Sequence, residues 1–249
     1  MKLWKRLLAI PIAASLVMGL LPAPALAEDT AHSHPICGEA HTDIGDHTGD
    51  NCKDATWTAW DGTSTITYDT NNTAYVYLEK DATRESRLEV KAGYTLYLCL
   101  NGNKLESSAS QGMSQVINVS NGAKFILCDC KGGGTITHSS GAKGKGVRVG
   151  GSDPAAATFS MYGGTISGNH TDAQCWGAGG AGVEVQNGTF TMYGGTISDN
   201  YDENTGSYGG GGVCAHTSGT FTMYDGIISD NQSVTDAGGV TVVGGTMNI

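Results

Sequence analysis

Six side chains with metal-binding or redox chemistry crowd into 21 positions near the start of the chain: His32, His34, Cys37, His41, His47 and Cys52. Imidazole nitrogen and thiolate sulfur suit a four-coordinate zinc ion, and any four of the six could close around one over so short a segment. The same residues fit a Cys37–Cys52 disulfide with solvated histidines, the usual use of paired cysteines in an exported chain. Further along, Asp199 and Asp230 fall at equivalent places in two successive repeats. Carboxylates stacked about 5 Å apart repel one another unless they are hydrated or bridged. A calcium ion between them, with further oxygens from Asp202 or Glu203, is one solution; two solvated turn carboxylates are the other.

Aromatic residues supply the remaining candidates. Tyr162, Tyr193 and Tyr224 recur at one register, so they form either an outward stripe for a sugar ring or partner surface, or a mutual ladder that supports parallel pairing. Trp176, Tyr201 and Tyr208 lie in loops at 170–182 and 201–212 that emerge on one edge, and such loops commonly carry binding residues. Cys99 and Cys128, 29 residues apart, fall on adjacent coils, with Cys130 in a four-residue insertion beside them. No catalytic residue is assigned, because the outward positions Ser160, Thr191, Thr222 and the three tyrosines include no general acid or base that works at neutral pH.

The elements that position these residues are legible from a repeat. Residues 158–169, 189–200 and 220–231 are near-copies spaced by 31 residues. Fainter copies extend upstream: Leu105, Ile136, Ile166, Ile197 and Ile228 are spaced by 30 or 31, and each is followed three residues later by Ser108, Ser139, Asn169, Asn200 or Asn231. A second apolar pair recurs as Leu88/Val90, Ile117/Val119, Val147/Val149, Val183/Val185, Val213/Ala215 and Val240/Val242. Within a coil the apolar residues alternate, as strands with one buried face do, and no helical stripe persists. Three short strands per turn of about 30 residues make an all-β, parallel β-solenoid with about six visible coils, stacking to roughly 25–30 Å at about 4.8 Å per coil. Equivalent residues then sit above one another. Phe125, Phe159, Phe190 and Phe221 form one inward column and Leu127, Met161, Met192 and Met223 another. Asn169, Asn200 and Asn231 form an amide ladder in left-handed turns, and glycines at 163/164 and 194/195 allow sharp corners. Trp57 and Trp60 are expected to seal residues 28–62 against the first coil of a solenoid that spans 63–249.

The string at 189–200, followed by a Gly-rich loop and a Val-x-Val strand, resembles the right-handed parallel β-helix repeats of large surface proteins of Gram-positive gut bacteria, a fold shared with the pectate-lyase-like superfamily. Residues 98–105 and 127–137 resemble the first coils of those proteins. The resemblance implies a right-handed parallel β-helix and, for activity, only a range: lyases, hydrolases, epimerases and adhesins share this solenoid. The Asp-Asp, Gly-His-Gly and Arg-x-Lys strings of the hydrolytic relatives are not found in this sequence.

Residues 1–27 read as an export signal: Lys2, Lys5 and Arg6 precede an apolar run at 7–21, and Ala25-Leu26-Ala27 supplies a small-residue cleavage site. Processing there takes the net charge from −10 to −13, a surface that repels nucleic acid and opposes a polyuronate substrate. No second apolar stretch of spanning length follows. Of 38 glycines, 29 lie in 131–249, without the triplet period of collagen. Ile249 aligns with Met223, so the last coil is expected to be cut short, either in a truncated longer protein or as an edge for end-to-end association. The expected role is that of a secreted or cell-surface, non-catalytic adhesin or stalk that binds glycan or protein. The rival expectations are a polysaccharide lyase or glycoside hydrolase of that superfamily, and a purely structural spacer.

Overall fold

The computed structural model describes residues 32–37, 52–109, 114–152, 155–173, 175, 179–205 and 209–249, with side chains from Thr56 onward. The segment read as an export signal, His41, His47, Trp176 and Tyr208 lie outside the described residues. Every described element is a β-strand. Residues 31–249 form one compact unit, a parallel β-solenoid of about five turns.

Three long parallel sheets run along the stack, one for each side of a coil, and a fourth, of the two-residue strands His170–Thr171, Tyr201–Asp202 and Gln232–Ser233, joins the later coils. The first holds Thr73–Leu78, Thr95–Cys99, Lys124–Cys128, Ala157–Met161, Gly188–Met192, Thr220–Met223 and Thr246–Asn248. The second runs from Ala82–Arg84 through Lys104–Ser107, Thr135–His138, Thr165–Ser167 and Thr196–Ser198 to Ile227–Ser229. The third runs from Leu88–Val90 through Gln115–Val119, Lys145–Gly150, Val183–Gln186 and Val213–His216 to Val240–Val243. The second and third sheets each have six rungs, the number of coils the repeat implies. Ahead of the first sheet, Cys52–Trp60 pairs in parallel with Thr73–Leu78 and antiparallel with His32–Cys37. Trp60 enters the core, whereas Trp57, three residues earlier and so on the other face of the strand, meets Tyr75 edge-on at 5.9 Å.

Pairing registers place like above like. Phe125, Phe159, Phe190 and Phe221 stack with centroids 5.0, 4.6 and 5.1 Å apart, and the Leu127–Met161–Met192–Met223 column runs beside them. Leu105, Ile136, Ile166, Ile197 and Ile228 are likewise direct partners. Burial removes these side chains from water, which drives the coil to close, while the offset stack of rings fixes the register.

The amide ladder differs from expectation in two details. The left-handed conformation falls on the residue before each asparagine, at Gly168, Asp199 and Asp230, with φ of 66°, 56° and 56°. That extra residue exists only in the later coils, so the buried column continues upstream through His138 and Ser107, not through Ser139 and Ser108. His138 and Ser107 are buried, and the Nδ1–H of His138 donates to Asn169 Oδ1 at 2.9 Å. Burial holds His138 below its ordinary value despite that bond, so the ring stays neutral.

Glycines that lead into the third sheet face this ladder. A methyl group on Gly182 would lie 2.5 Å from the Gly212 carbonyl and 3.0 Å from the Asn200 amide; on Gly212 it would lie 2.5 Å from the Gly239 carbonyl and 3.0 Å from the Asn231 amide. Backbone oxygen cannot yield as a flexible side chain does. Gly212→Ala should therefore cost about 2–3 kcal/mol in urea unfolding. Gly239→Ala, where an added carbon meets nothing within 4 Å, should cost under about 1 kcal/mol. Equal losses in the two variants would mean that crowding against backbone oxygen is not what selects Gly212.

Candidate functional site

The tyrosine column forms as the register requires. The Tyr162 and Tyr193 centroids lie 4.7 Å apart at 10°, and those of Tyr193 and Tyr224 lie 5.2 Å apart at 5°. Near-parallel stacking turns each ring face onto its neighbour, so a ligand approaching Tyr193, which is 7% exposed, meets an edge and a hydroxyl. Burial, with Tyr224 beside it, pushes that hydroxyl above its ordinary value. Ring-face stacking on a sugar is therefore restricted to the ends of the column, and Tyr224 is 51% exposed.

Tyr201 packs against His170 at 4.9 Å. His170 Nε2 lies 2.9 Å from Glu203, and Lys143 bridges Glu203 and Asp172 at 3.2 and 3.0 Å. Lys143 and His170 hold the Glu203 carboxyl below its ordinary value. Asp202 is fully buried and accepts bonds from Thr171 Oγ1, Gly210 N and Asn204 N at 2.7, 3.0 and 3.1 Å. The two side chains counted as added calcium oxygens are thus engaged within the fold, while Asp199 and Asp230 are exposed in their turns. Among the described residues, no group of three or more His, Cys, Asp or Glu side chains could hold a metal ion.

The N-terminal hairpin sets Cys37 directly opposite Cys52, His34 opposite Ala55 and His32 opposite Trp57. Opposed Cα atoms in an antiparallel pair lie about 4.5–5.5 Å apart, a span that a disulfide also takes. The backbone register brings the two cysteines together without help from the histidines.

Two features escape a reading by repeat. The first is a buried ionic network on the outer side of the third sheet. Glu184, 1% exposed, receives Lys145 Nζ at 2.7 Å, Arg148 Nε at 3.0 Å and His216 Nε2 at 3.1 Å. Arg148 also donates to Gln186 Oε1 at 2.9 Å. Burial would raise the Glu184 carboxyl, but the charges of Lys145 and Arg148 and the His216 hydrogen bond outweigh it and hold the group down to about 2. Cys214, its neighbour on the next rung, is pushed up to about 12 by burial and by that carboxylate. A thiol so protonated is no nucleophile, and a carboxylate so enclosed reaches no substrate. The signal lay in the middle residue of each Val-x-Val strand: Glu89, Asn118, Arg148, Glu184, Cys214 and Thr241 make a single column.

The second is a pair of clefts on either side of residues 61–72, upstream of the clear repeats. One, of about 590 Å³, is lined by Thr56, Thr58, Trp60, Ser64, Tyr68, Asp69, Thr73 and Tyr75. The other, of about 520 Å³, is lined by Ser64, Tyr68, Asp69, Arg84, Arg87, Glu89, Lys91 and Tyr94. Tyr68 stands edge-on to Tyr94 at 4.8 Å, and burial beside Tyr94 pushes its hydroxyl up to about 12. Arg84 lies over the Trp60 ring at 5.7 Å and donates to the Gly62 carbonyl at 2.7 Å, which anchors the segment. Both bordering carboxylates have protein donors. Asp69 accepts Asn71 N and Thr73 N at 2.9 and 2.8 Å; Glu89 accepts Arg87 at 2.8 Å, Asn118 at 2.7 Å and the Ser120 hydroxyl. What faces a ligand there is aromatic edge, hydroxyl, cation and the exposed Asp69 carboxylate.

Comparison with protein families, with curated proteins and with solved structures finds no match to this chain.

Proposed function

We propose that this chain is an exported, non-catalytic β-solenoid of a surface protein, of the pectate-lyase-like kind, and that it holds glycan in the clefts beside residues 61–72. The observation that carries this reading is the lining of those clefts. Tyrosine rings supply apolar surface for sugar C–H groups, and threonine and serine hydroxyls with arginine and lysine match sugar hydroxyls and acidic substituents. Catalysis by carboxylates would need one of them to change protonation against a substrate. Both oxygens of Glu89 instead accept protein donors, and Asp69 is held through Oδ1 by two backbone amides, which favours binding over hydrolysis or elimination. The Tyr162–Tyr193–Tyr224 stack serves as a ladder along the stalk.

A glycan array followed by titration of the best binder tests this reading on the whole chain. Tyr68→Ala and Tyr94→Ala should each weaken binding about tenfold or more, while Tyr193→Phe, which keeps the ring stack and removes one hydroxyl, should leave it unchanged. Binding that survives both cleft substitutions would move the site elsewhere. Unsaturated or reducing-sugar products released from a bound polysaccharide would restore the enzymatic reading.

A further inference from the structure

Three of the seven cysteines meet across two adjacent rungs of the first sheet. Cys99 and Cys128 are direct partners in the parallel ladder. After Cys128 the chain leaves the coil path through residues 129–134, and Asp129 pins that insertion by accepting Gly102 N and Gly134 N, each at 2.7 Å. The pinned loop folds Cys130 back toward the rung above, and its sulfur lies 3.4 Å from that of Cys99. Cys128 donates to the Leu98 carbonyl, 3.7 Å away, and its thiol also contacts that of Cys99, which together with burial pushes it above its ordinary value. Cys99 is fully buried and Cys130 is exposed.

We infer that Cys99 and Cys130 form a disulfide that staples the insertion to the preceding coil, with Cys128 remaining a thiol. Closure to the bonded distance of about 2.05 Å requires the sulfurs to approach by about 1.4 Å, within reach of side-chain rotation. The Cys128 alternative joins neighbours in a parallel ladder, where side chains run alongside one another and the bridge is strained. The oxidant is a disulfide, either a small-molecule one or that of a thiol–disulfide oxidoreductase. The exposed Cys130 loses its proton to solvent and attacks one oxidant sulfur, displacing the other as a thiolate. Cys99 then gives up its proton, attacks the Cys130 sulfur and displaces the second thiolate. Two electrons pass to the oxidant, which leaves as two thiols. A solenoid is held coil to coil, so the staple blocks separation at this step of the stack.

The test uses the whole chain, reduced and then incubated with oxidised glutathione, and reads linkages by peptide mapping. A Cys99–Cys130 linked peptide is expected in the wild type and in C128S, and C130S should leave Cys99 as a thiol. The oxidised wild type should melt roughly 5–10 °C above oxidised C130S, and the two should melt together after reduction. Burial and the Cys99 thiol push Cys130 up to about 12, so formation should accelerate about tenfold per pH unit between pH 7 and 9. A Cys99–Cys128 link, glutathione retained on Cys130, three unmodified thiols, or a metal ion retained on them in the native mass would each overturn the assignment. This inference is independent of whether the clefts hold a glycan.

Discussion

Glu184→Gln is expected to destabilise the solenoid by about 3–5 kcal/mol at neutral pH, seen as a fall in the urea midpoint. The amide retains the shape of the carboxylate but removes the charge that Lys145, whose side chain is 4% exposed, and Arg148 both face. Breaking one side of a buried ion pair leaves the other uncompensated away from water, and that cost exceeds the value of the intact pair. Glu184→Met combined with Lys145→Met should recover part of the loss, because it removes charge and counter-charge together. The sign of the pH dependence follows from the depressed carboxyl. Folding takes Glu184 from an ordinary 4.5 to about 2, a contribution of about 3 kcal/mol. It is fully present above about pH 5 and is lost as pH falls from about 4.5 towards 2. The wild type should show this acid-dependent loss between pH 5 and 2, and the Gln variant should lack it. Superimposable acid limbs for the two proteins would mean that the network is not a source of stability.

The inward half of this fold was readable because parallel stacking demands that like residues recur at one spacing. Phe159, Phe190 and Phe221, or Ile166, Ile197 and Ile228, repeat every 31 residues since each must fill the same slot in the same cross-section. The outward half follows a different rule. Arg148, Glu184 and Cys214 share a register but complement one another instead of matching, so self-similarity hides them. The one-residue shift from Ser139 to His138 in the amide column had a similar cause: a left-handed residue was added in the later coils, and counting from the isoleucine cannot tell an inserted turn residue from a ladder member. The clefts at 61–72 depend on how an irregular segment crosses the first rungs, which no periodicity encodes. The sulfur cluster was half legible. The Cys99–Cys128 alignment follows from spacing, whereas the return of Cys130 depends on the Asp129 hydrogen bonds.

These differences bear on where function resides. A column of identical residues optimises pairing and leaves little for recognition, because the faces of stacked rings and the amides of stacked asparagines are consumed by their neighbours. On the proposed reading recognition falls where the repeat is interrupted, as it is at the 61–72 segment; the 129–134 loop is a second interruption. The buried ionic network belongs to the repeat itself and acts as a clamp on three successive rungs, from Lys145 and Arg148 through Glu184 to His216.

The asparagine ladder gives the second large effect, and its asymmetry makes it diagnostic. Asn200, 1% exposed, donates from Nδ2 to the Ile166 carbonyl at 3.0 Å and to Asn231 Oδ1 at 2.9 Å, and its Oδ1 accepts Asn169 N and Nδ2 at 3.1 and 2.9 Å. Asn200→Asp preserves the shape and the accepting oxygen but turns a second oxygen onto two acceptors. The buried carboxylate then faces repulsion and lost solvation together, at a cost of about 3–5 kcal/mol at pH 7. Burial raises the pKa of such an acid, so the variant escapes part of the penalty by protonation. Its stability should therefore be closer to wild type at pH 4 and fall as pH rises, opposite in sign to the Glu184 contribution. Asn231→Asp is the comparison. Asn231 is only partly buried, and its Nδ2 donates to the Ile197 carbonyl at 2.8 Å, so water can hydrate the new charge and the loss should be smaller by half or more. Denaturant midpoints for the two variants at pH 4 and pH 7 decide the matter. Equal losses at both sites, or no change with pH at Asn200, would mean that the ladder is held by backbone pairing and that its amides are replaceable.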